Sequence, residues 1–154
     1  MSTRASSFSA DDEAACVRLG VAFANHIDAR RYAQVLDLFT EDGVLDRMGA
    51  VTTGRAALAA FLEARPAGVE TRHVCTNFLV EPVSADEARG ASYALFFQGS
   101  RAGPDDAVAT MAGLPAVVEY HDRFARTARG WRIRERVIRM ALRPAPLSTA
   151  TSKE

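Results

Sequence analysis

Four stretches in the second half of the chain alternate apolar and polar residues with a period of two, and this pattern constrains the fold most. The stretches cover residues 71–82, 87–98, 116–127 and 130–142. A period of two is typical of β-strands, because successive side chains of a strand point to opposite faces of the sheet. We therefore expect four long, antiparallel strands in this half of the chain.

The last stretch, "WRIRERVIRMAL", changes phase along its length. Its apolar residues fall first on one face and then on the other: Trp131, Ile133 and Val137, followed by Ile138, Met140 and Leu142. A slip of one residue is the effect of a β-bulge, which bends a strand. The arginines at 132, 134 and 136 are expected to share one solvated or interfacial face.

The first half of the chain has helical spacing instead. "SADDEAACVRLGVAFANHIDARR" predicts a first helix, capped by Ser9 with Asp12 three residues later. "YAQVLDLFTEDG" predicts a short second helix that ends at Gly43. "TGRAALAAFLEARPAG" predicts a third, capped by Thr53 and closed before Pro66, and "VLDRMGAV" between them predicts a short strand.

Helices followed by long strands are the order of an α+β protein. With 154 residues, the chain is expected to form a single domain over residues 10–143, with flexible tails at 1–9 and 144–154. In this domain a curved, mostly antiparallel sheet would form a cone-shaped barrel around the three N-terminal helices. Such a cone is closed at its narrow end and leaves a pocket at its wide end.

Charge and composition argue against several classes of function. Nineteen basic residues balance nineteen acidic ones, so the chain has no overall attraction to nucleic acid or an anionic membrane. We find no apolar leader and no run of the roughly 18 to 20 apolar residues that would cross a bilayer. Cys16 and Cys75 lack metal-type spacing. A cytoplasmic protein without a cofactor or a metal is the expectation.

The stretch "ETRHVCTNFLVEP" has two different faces. Val74, Phe78 and Val80 lie on one face. The other face carries a histidine, a thiol and an amide, from His73, Cys75 and Asn77. Strand periodicity alone does not decide which face points to the core.

Four segments of the chain together resemble the nuclear-transport-factor-2-like superfamily, in particular its SnoaL-like branch. They are "YAQVLDLFTEDGVLDRMG", "TGRAALAAFL", "TRHVCTNFLVEPVSADEARGASYALFF" and "EYHDRFARTARGWRIRERV", within roughly residues 12 to 140. Among the enzymes of this branch, the chain is similar to scytalone dehydratase and hexachlorocyclohexane dehydrochlorinase. The resemblance implies the cone fold, and function has to be argued from the site, since the superfamily includes enzymes and binding proteins.

The resemblance places a catalytic pair at Asp28, at the end of the first helix, and His73, at the start of the strand after the third helix. The face with His73, Cys75 and Asn77 would then line the pocket, leaving Val74, Phe78 and Val80 outside. Imidazole can take up and return a proton near neutral pH, and a carboxylate at its other nitrogen stabilises the imidazolium. The expectation is a lyase that abstracts a proton from a small, apolar, cyclic substrate.

Further residues are candidates for the pocket. Tyr120 is a candidate hydroxyl donor to substrate, Asp122 a weaker polar contact, and Phe23 and Asn77 are expected to line the site. Asp46 falls close to the acid–base carboxylate of ketosteroid isomerases, which makes it a candidate acid or base in an alternative mechanism. A nucleophilic pair of Cys75 and His73 is a further possibility.

Alternatives to the lyase remain open at this point. They are a ketosteroid-isomerase-like or polyketide-cyclase-like enzyme, a non-catalytic ligand-binding or accessory module, and a structural subunit of the dioxygenase β type. Residues 99–115 form a long connection that could act as a lid. Apolar residues on both sheet faces predict a homodimer or higher oligomer through the outer face.

Overall fold

The computed structural model describes residues 7–111 and 113–145. Three helices come first, α1 (Ala10–Asp28), α2 (Tyr32–Asp37) and α3 (Arg55–Glu63), with two strands before α3. The strands are β1 (Phe39–Arg47), β2 (Ala50–Thr53), β3 (Val69–Pro82), β4 (Glu87–Ser100), β5 (Thr110–Met111), β6 (Ala116–Thr127) and β7 (Gly130–Leu142). The predicted α+β class is confirmed, and each of the four long strands lies where the alternation predicted it.

The strands form one sheet in the order β2-β1-β7-β6-β4-β3, with the short β5 paired to β4. All pairs are antiparallel except β1 with β7, which is parallel. The helices cover one face of this curved sheet, which we call the inner face. The opposite, outer face carries no helix among the described residues.

Helix α1 begins as its sequence predicts. The Ser9 side chain accepts a hydrogen bond from the backbone of Asp12, and the Asp12 carboxylate accepts one from the backbone of Ser9, which completes a capping box. Asp12 also accepts a hydrogen bond from the indole of Trp131 at 2.9 Å. Phe8 packs edge-on against Trp131, with the ring centroids 5.6 Å apart. The packed part of the domain therefore includes Phe8 and Ser9, whereas residues 1–6 and 146–154 of the predicted tails lie outside the described residues.

Two predicted helix boundaries are wrong. Helix α2 ends at Asp37 rather than Gly43, and Phe39 begins β1. Phe39 is fully buried and pairs with Ile133 of β7, so a tertiary strand pairing overrides the local helical spacing. The predicted cap of α3, Thr53, belongs to β2, and Gly54 is the N-cap without a side-chain hydrogen bond.

The predicted bulge in β7 is present, but it lies earlier than the apolar pattern suggested. Phe124 of β6 pairs with Ile133, and Arg123 pairs with Glu135, which leaves Arg134 unpaired. The slip turns Arg136 to the inner face, where it has no exposed surface. The prediction that the arginines at 132, 134 and 136 share one solvated face is therefore wrong.

A second bulge lies in β3, between Thr76 and Leu79. Asn77 takes a left-handed conformation there, with φ of 55°, and its side chain is exposed. After the bulge, Phe78 and Val80 turn inward, and Leu79 is exposed on the outer face. The prediction that Phe78 and Val80 lie outside is wrong, because the strand changes phase where the sequence gives no apolar signal.

The inward side chain of Phe78 explains why α1 has a glycine at position 20. A Cβ atom at Gly20 would lie 2.7 Å from Cε1 of Phe78, which is closer than van der Waals contact allows. The glycine thus lets α1 lie close against β3. This close packing brings the C-terminal end of α1 to the first half of β3.

None of the helices in the described residues is long and apolar enough to span a membrane.

Candidate active site

Asp28 and His73 meet where the end of α1 crosses the start of β3. The Nδ1 atom of His73 lies 2.7 Å from Oδ1 of Asp28, and the backbone N–H of His73 donates to Oδ2 at 2.8 Å. The side chain of His73 is 10% exposed and that of Asp28 is 12% exposed, so the pair is largely buried but still accessible to solvent. The fold therefore brings together two residues that lie 45 positions apart in the sequence.

The carboxylate of Asp28 fixes the state of the imidazole. A carboxylate can only accept, so the neutral imidazole carries its proton on Nδ1 and leaves a lone pair on Nε2. Nε2 makes no hydrogen bond to a described residue, and the ring lies 5.0 Å from that of Phe96. This is the arrangement of a general base whose orienting acid is already in place.

Asp28 receives a third hydrogen bond, from the hydroxyl of Thr71 to Oδ1 at 2.8 Å. Burial raises the pKa of Asp28, but the hydrogen bonds and positive charge of His73 and the hydrogen bond of Thr71 outweigh it and lower the pKa. The carboxylate therefore stays ionised at neutral pH. Thr71 in turn accepts a hydrogen bond from Arg65 at 3.0 Å.

Phe23 of α1 and Tyr120 of β6 pack against each other at the inner face and form an aromatic wall there. Their ring centroids are 6.2 Å apart, and both residues are buried. The Tyr120 hydroxyl makes no hydrogen bond to a described residue. Burial raises the pKa of Tyr120, so its hydroxyl remains a neutral donor. Its role as a hydroxyl donor to substrate stays a prediction.

Asp122 is on the inner face, but its carboxylate already has a partner. Nε and Nη2 of Arg136 donate to its two oxygens, both at 2.7 Å. The Cζ atom of the guanidinium also lies 4.4 Å from the ring centroids of Phe23 and Tyr120. Nη1 is buried and makes no hydrogen bond to any residue that the structure describes.

Sequence reasoning missed Arg136, because strand alternation without the bulge at Arg134 puts it on the outer face. The available signal was Asp122, which shares the inner face of β6 with Tyr120. A buried carboxylate needs a cation or several hydrogen-bond donors. That requirement points to an inward arginine on the neighbouring strand.

Two predicted site residues do not lie at the pair. Asn77 sits in the β3 bulge with its side chain exposed, where the amide oxygen accepts from Thr76. Asp46 lies in the β1–β2 hairpin, and its carboxylate accepts from the backbone of Gly49 at 2.7 Å. This is a turn contact, and it leaves the acid–base role predicted for Asp46 without support.

Cys75 faces the same side of β3 as His73 but is not activated. Burial raises the pKa of its thiol, which disfavours the nucleophilic thiolate. No hydrogen bond joins Cys75 to His73 in the described residues. The alternative of a Cys–His nucleophilic pair is therefore not supported by the geometry.

The described residues form two surface hollows, and neither Asp28 nor His73 lines them. One, of about 380 Å³, lies on the outer face over Leu79, Ala91 and Val137. The other, of about 350 Å³, lies between the β3–β4 end and the connection that carries β5, with Thr71 in its wall. Within the described residues, no group of three His, Cys, Asp or Glu side chains could hold a metal ion.

Comparison with known proteins places the chain in a family. The family model of the SnoaL-like domain matches residues 9–137. A Novosphingobium aromaticivorans protein provisionally named an aromatic ring hydroxylase is 24% identical, with 89% of this chain and 94% of that chain covered and a TM-score of 0.73. No match was found among curated proteins.

Two further solved structures share the fold. A hexachlorocyclohexane dehydrochlorinase, LinA type 2, is 18% identical over 90% of this chain and 94% of its own, with a TM-score of 0.72. A second Novosphingobium aromaticivorans protein, provisionally named a scytalone dehydratase, is 21% identical over 92% and 99%, with a TM-score of 0.69. At these identities the likeness shows the fold, and the match over residues 9–137 shows that the chain belongs to the SnoaL-like domain family.

Proposed function

We propose that this protein is a cofactor-independent lyase in which His73 is the general base and Asp28 its orienting carboxylate. The observation that carries the proposal is the 2.7 Å contact between Nδ1 of His73 and Oδ1 of Asp28. It leaves Nε2 free to accept a proton. The structural likeness to a dehydrochlorinase supports a reaction of the elimination type but does not identify the substrate.

The chemistry follows from the lone pair on Nε2. Nε2 takes a proton from a carbon next to the one that bears a hydroxyl or a halide. The electrons of the broken C–H bond form the C=C bond, and the leaving group departs with the electrons of its own bond. Asp28 stabilises the imidazolium through Nδ1. The imidazolium then returns its proton to the departing hydroxide or to water.

The surroundings of the pair indicate the class of substrate. Phe96 lies against His73, and Phe23 and Tyr120 form the neighbouring wall. Arg136 is neutralised by Asp122, so this interior has no obvious site for a strongly charged ligand. A small, mostly apolar ring with one polar leaving group fits this environment, and Tyr120 would donate a hydrogen bond to that group.

The test is elimination by His73→Gln and Asp28→Asn variants across a panel of cyclic alcohols and halides. General-base catalysis contributes about 10²- to 10⁴-fold, and we expect kcat to fall by that order in His73→Gln. Asp28→Asn should lower kcat strongly because the amide no longer stabilises the imidazolium. Loss of a deuterium label from the attacked carbon gives an independent readout of proton abstraction.

His121→Gln is the matched control for this test. His121 lies on the outer face, where its imidazole contacts Glu119 at 3.1 Å, away from the pair. The control should turn over each substrate as the wild type does. Wild-type turnover that persists in His73→Gln would contradict the proposal.

A second candidate is a non-catalytic module that binds the same kind of molecule. It is favoured by two buried polar groups that a bound ligand would satisfy: Nη1 of Arg136 and the Ser92 hydroxyl have no hydrogen-bond partner among the described residues. This candidate predicts calorimetric binding of panel members that survives His73→Gln, with no label exchange in the wild type. Wild-type label exchange that His73→Gln abolishes would exclude it.

A further inference from the structure

Arg65 joins the two elements that carry the catalytic pair. Its Nη1 donates to the backbone carbonyl of Ile27, next to Asp28 in α1, at 2.8 Å. Its Nη2 donates to the hydroxyl of Thr71 in β3 at 3.0 Å. One planar guanidinium thus bridges the end of α1 and the start of β3, the two segments whose separation sets the distance from Asp28 to His73.

Thr71 connects Arg65 to the pair through two hydrogen bonds whose directions are fixed. A hydroxyl has one proton, and the guanidinium of Arg65 can only donate. The Thr71 hydroxyl therefore accepts from Arg65 and must give its own proton to Oδ1 of Asp28, at 2.8 Å. The same oxygen faces Nδ1 of His73 at 2.7 Å. Arg65, Thr71, Asp28 and His73 thus form a chain of hydrogen bonds. In this chain Arg65 donates to Thr71, and Thr71 donates to Asp28, which accepts from His73.

We propose that Arg65, acting through Thr71, is a positioning residue that holds the Asp28 carboxylate ionised and in the rotamer that keeps the His73 proton on Nδ1. The inference rests on the proposed function for its effect on turnover. Its effect on the imidazole tautomer does not depend on turnover.

The backbone between α3 and β3 is also held by Arg30. A role of Arg65 in positioning the pair can therefore be separated from a role in folding this segment. Arg30 donates to the carbonyl oxygens of Ala67 and Val69, at 3.3 and 2.6 Å, and also to that of Pro66. These bonds hold the connection between α3 and β3 without the Arg65 side chain. Loss of the Arg65 guanidinium should therefore loosen the carboxylate while the connection stays in place.

The predicted consequence is a change in the pair. Without the Thr71 donor, Asp28 loses one of the hydrogen bonds that favour its ionised form, so its pKa should rise. The carboxylate also gains freedom to rotate, which lets the neutral imidazole place its proton on either nitrogen. A proton on Nε2 removes the lone pair that the reaction needs.

The experiment compares Arg65→Gln and Thr71→Val with Thr71→Ser, which keeps the hydroxyl. Arg134→Gln is the matched arginine control, because Arg134 makes an exposed ion pair with Glu87 at 3.1 Å, away from the pair. The ¹⁵N spectrum of the imidazole reports which nitrogen carries the proton. Kinetics on a substrate of the wild type give kcat and KM.

We expect Arg65→Gln and Thr71→Val to show a mixture of the two imidazole tautomers, with kcat lowered by about tenfold and KM nearly unchanged, because misplacement of a catalytic group acts on the chemical step. Thr71→Ser and Arg134→Gln should keep the wild-type spectrum, and Thr71→Ser should retain most of the activity.

A wild-type tautomer in folded Arg65→Gln and Thr71→Val would overturn the inference and leave the lyase proposal standing. A loss of activity in Thr71→Ser as large as that in Thr71→Val would also overturn it, because the effect would then not depend on the hydroxyl. If the wild type turns over no panel member, the lyase proposal fails, and the ¹⁵N spectra still decide whether Arg65 and Thr71 position the pair.

Discussion

Arg136 of β7 is fully buried on the inner face of the sheet. Arginine is almost never fully buried unless it is paired. Here Asp122 supplies the pair, and the guanidinium also contacts the rings of Phe23 and Tyr120, with Cζ 4.4 Å from each centroid. Burial opposes the charge, but Asp122 outweighs burial and raises the pKa of Arg136. The cation therefore belongs to the core and holds β6 to β7 beneath the aromatic wall.

Asp122→Asn should destabilise the fold strongly. The substitution leaves a buried guanidinium without its counter-charge, and breaking a buried pair in this way costs about 3–5 kcal/mol. Urea unfolding gives the free energy. Arg123→Gln on the outer face is the control and should change the free energy of unfolding by less than about 0.5 kcal/mol. A loss no larger than that of the control would contradict the importance of the pair.

Asp28→Asn should flatten the dependence of stability on acid pH. The pKa of Asp28 is lower in the folded protein than its ordinary value of 3.8, so the folded state binds fewer protons. This stabilisation is fully present above the ordinary pKa and is lost as pH falls through the lower, folded pKa. The measurement is urea unfolding at a series of pH values from about 6 to 2.

The control for the acid series is Asp105→Asn, at an exposed position in the connection after β4. It should keep the wild-type slope. A wild-type slope in Asp28→Asn would show that the contacts with His73 and Thr71 do not stabilise the ionised carboxylate.

At the scale of elements, the bulge in β3 decides what the strand contributes to each face. Before it, His73 and Cys75 point inward, and after it Phe78 and Val80 do. Without this shift in register, the side chain of Phe78 would not pack against Gly20, and the apolar half of β3 would face away from α1. The bulge thus lets one strand supply both the histidine of the candidate site and part of the core.

Asn77→Val should destabilise the protein, whereas Asn77→Gly should be close to neutral. Asn77 has φ of 55°, a left-handed conformation that costs about 1–2 kcal/mol for most residues and is free for glycine. A β-branched residue tolerates it worst. Thermal unfolding of both variants is the measurement, and equal stability of Val and Gly at position 77 would contradict this account of the bulge.

For the molecule as a whole, the outer face of the sheet carries an apolar patch that no helix of the described residues covers. Three strands, β3, β4 and β7, contribute exposed apolar residues to this face: Val74, Leu79, Tyr93, Leu95 and Leu142. The hollow of about 380 Å³ on the same face has Glu81, Arg89, Arg123 and Glu135 among its walls. Contiguous apolar surface rimmed by charge is typical of a protein interface. We propose a second copy of the chain as its partner.

Leu95→Lys should shift this assembly toward the monomer. Leu95 lies beside Val74 and Val117 across the sheet, so a lysine there would bring a charge into the centre of the apolar surface. Size-exclusion chromatography with light scattering gives the mass. Val51→Lys, an exposed position on β2, is the control and should keep the wild-type mass. A wild type that is monomeric at micromolar concentration would contradict a stable dimer.

The sequence by itself determined the elements that depend on near neighbours. The Ser9–Asp12 cap involves residues three positions apart, and the long strands β6 and β7 follow from alternation within each strand. The α+β order follows from these elements. The pairing of Asp28 with His73 was predictable only through the family resemblance, since nothing local connects positions 45 residues apart.

Tertiary structure alone decided the rest, because distant contacts outweigh local preference. Phe39 lies in β1, paired with Ile133, rather than in the predicted helix. The bulges at Asn77 and Arg134 determine which side chains of β3 and β7 face inward. A bulge depends on how two strands fit together, so neither strand's own pattern fixes its position. The buried Arg136 and the bridge from Arg65 to Asp28 follow from that register, and both appear only when the sheet and helices are assembled.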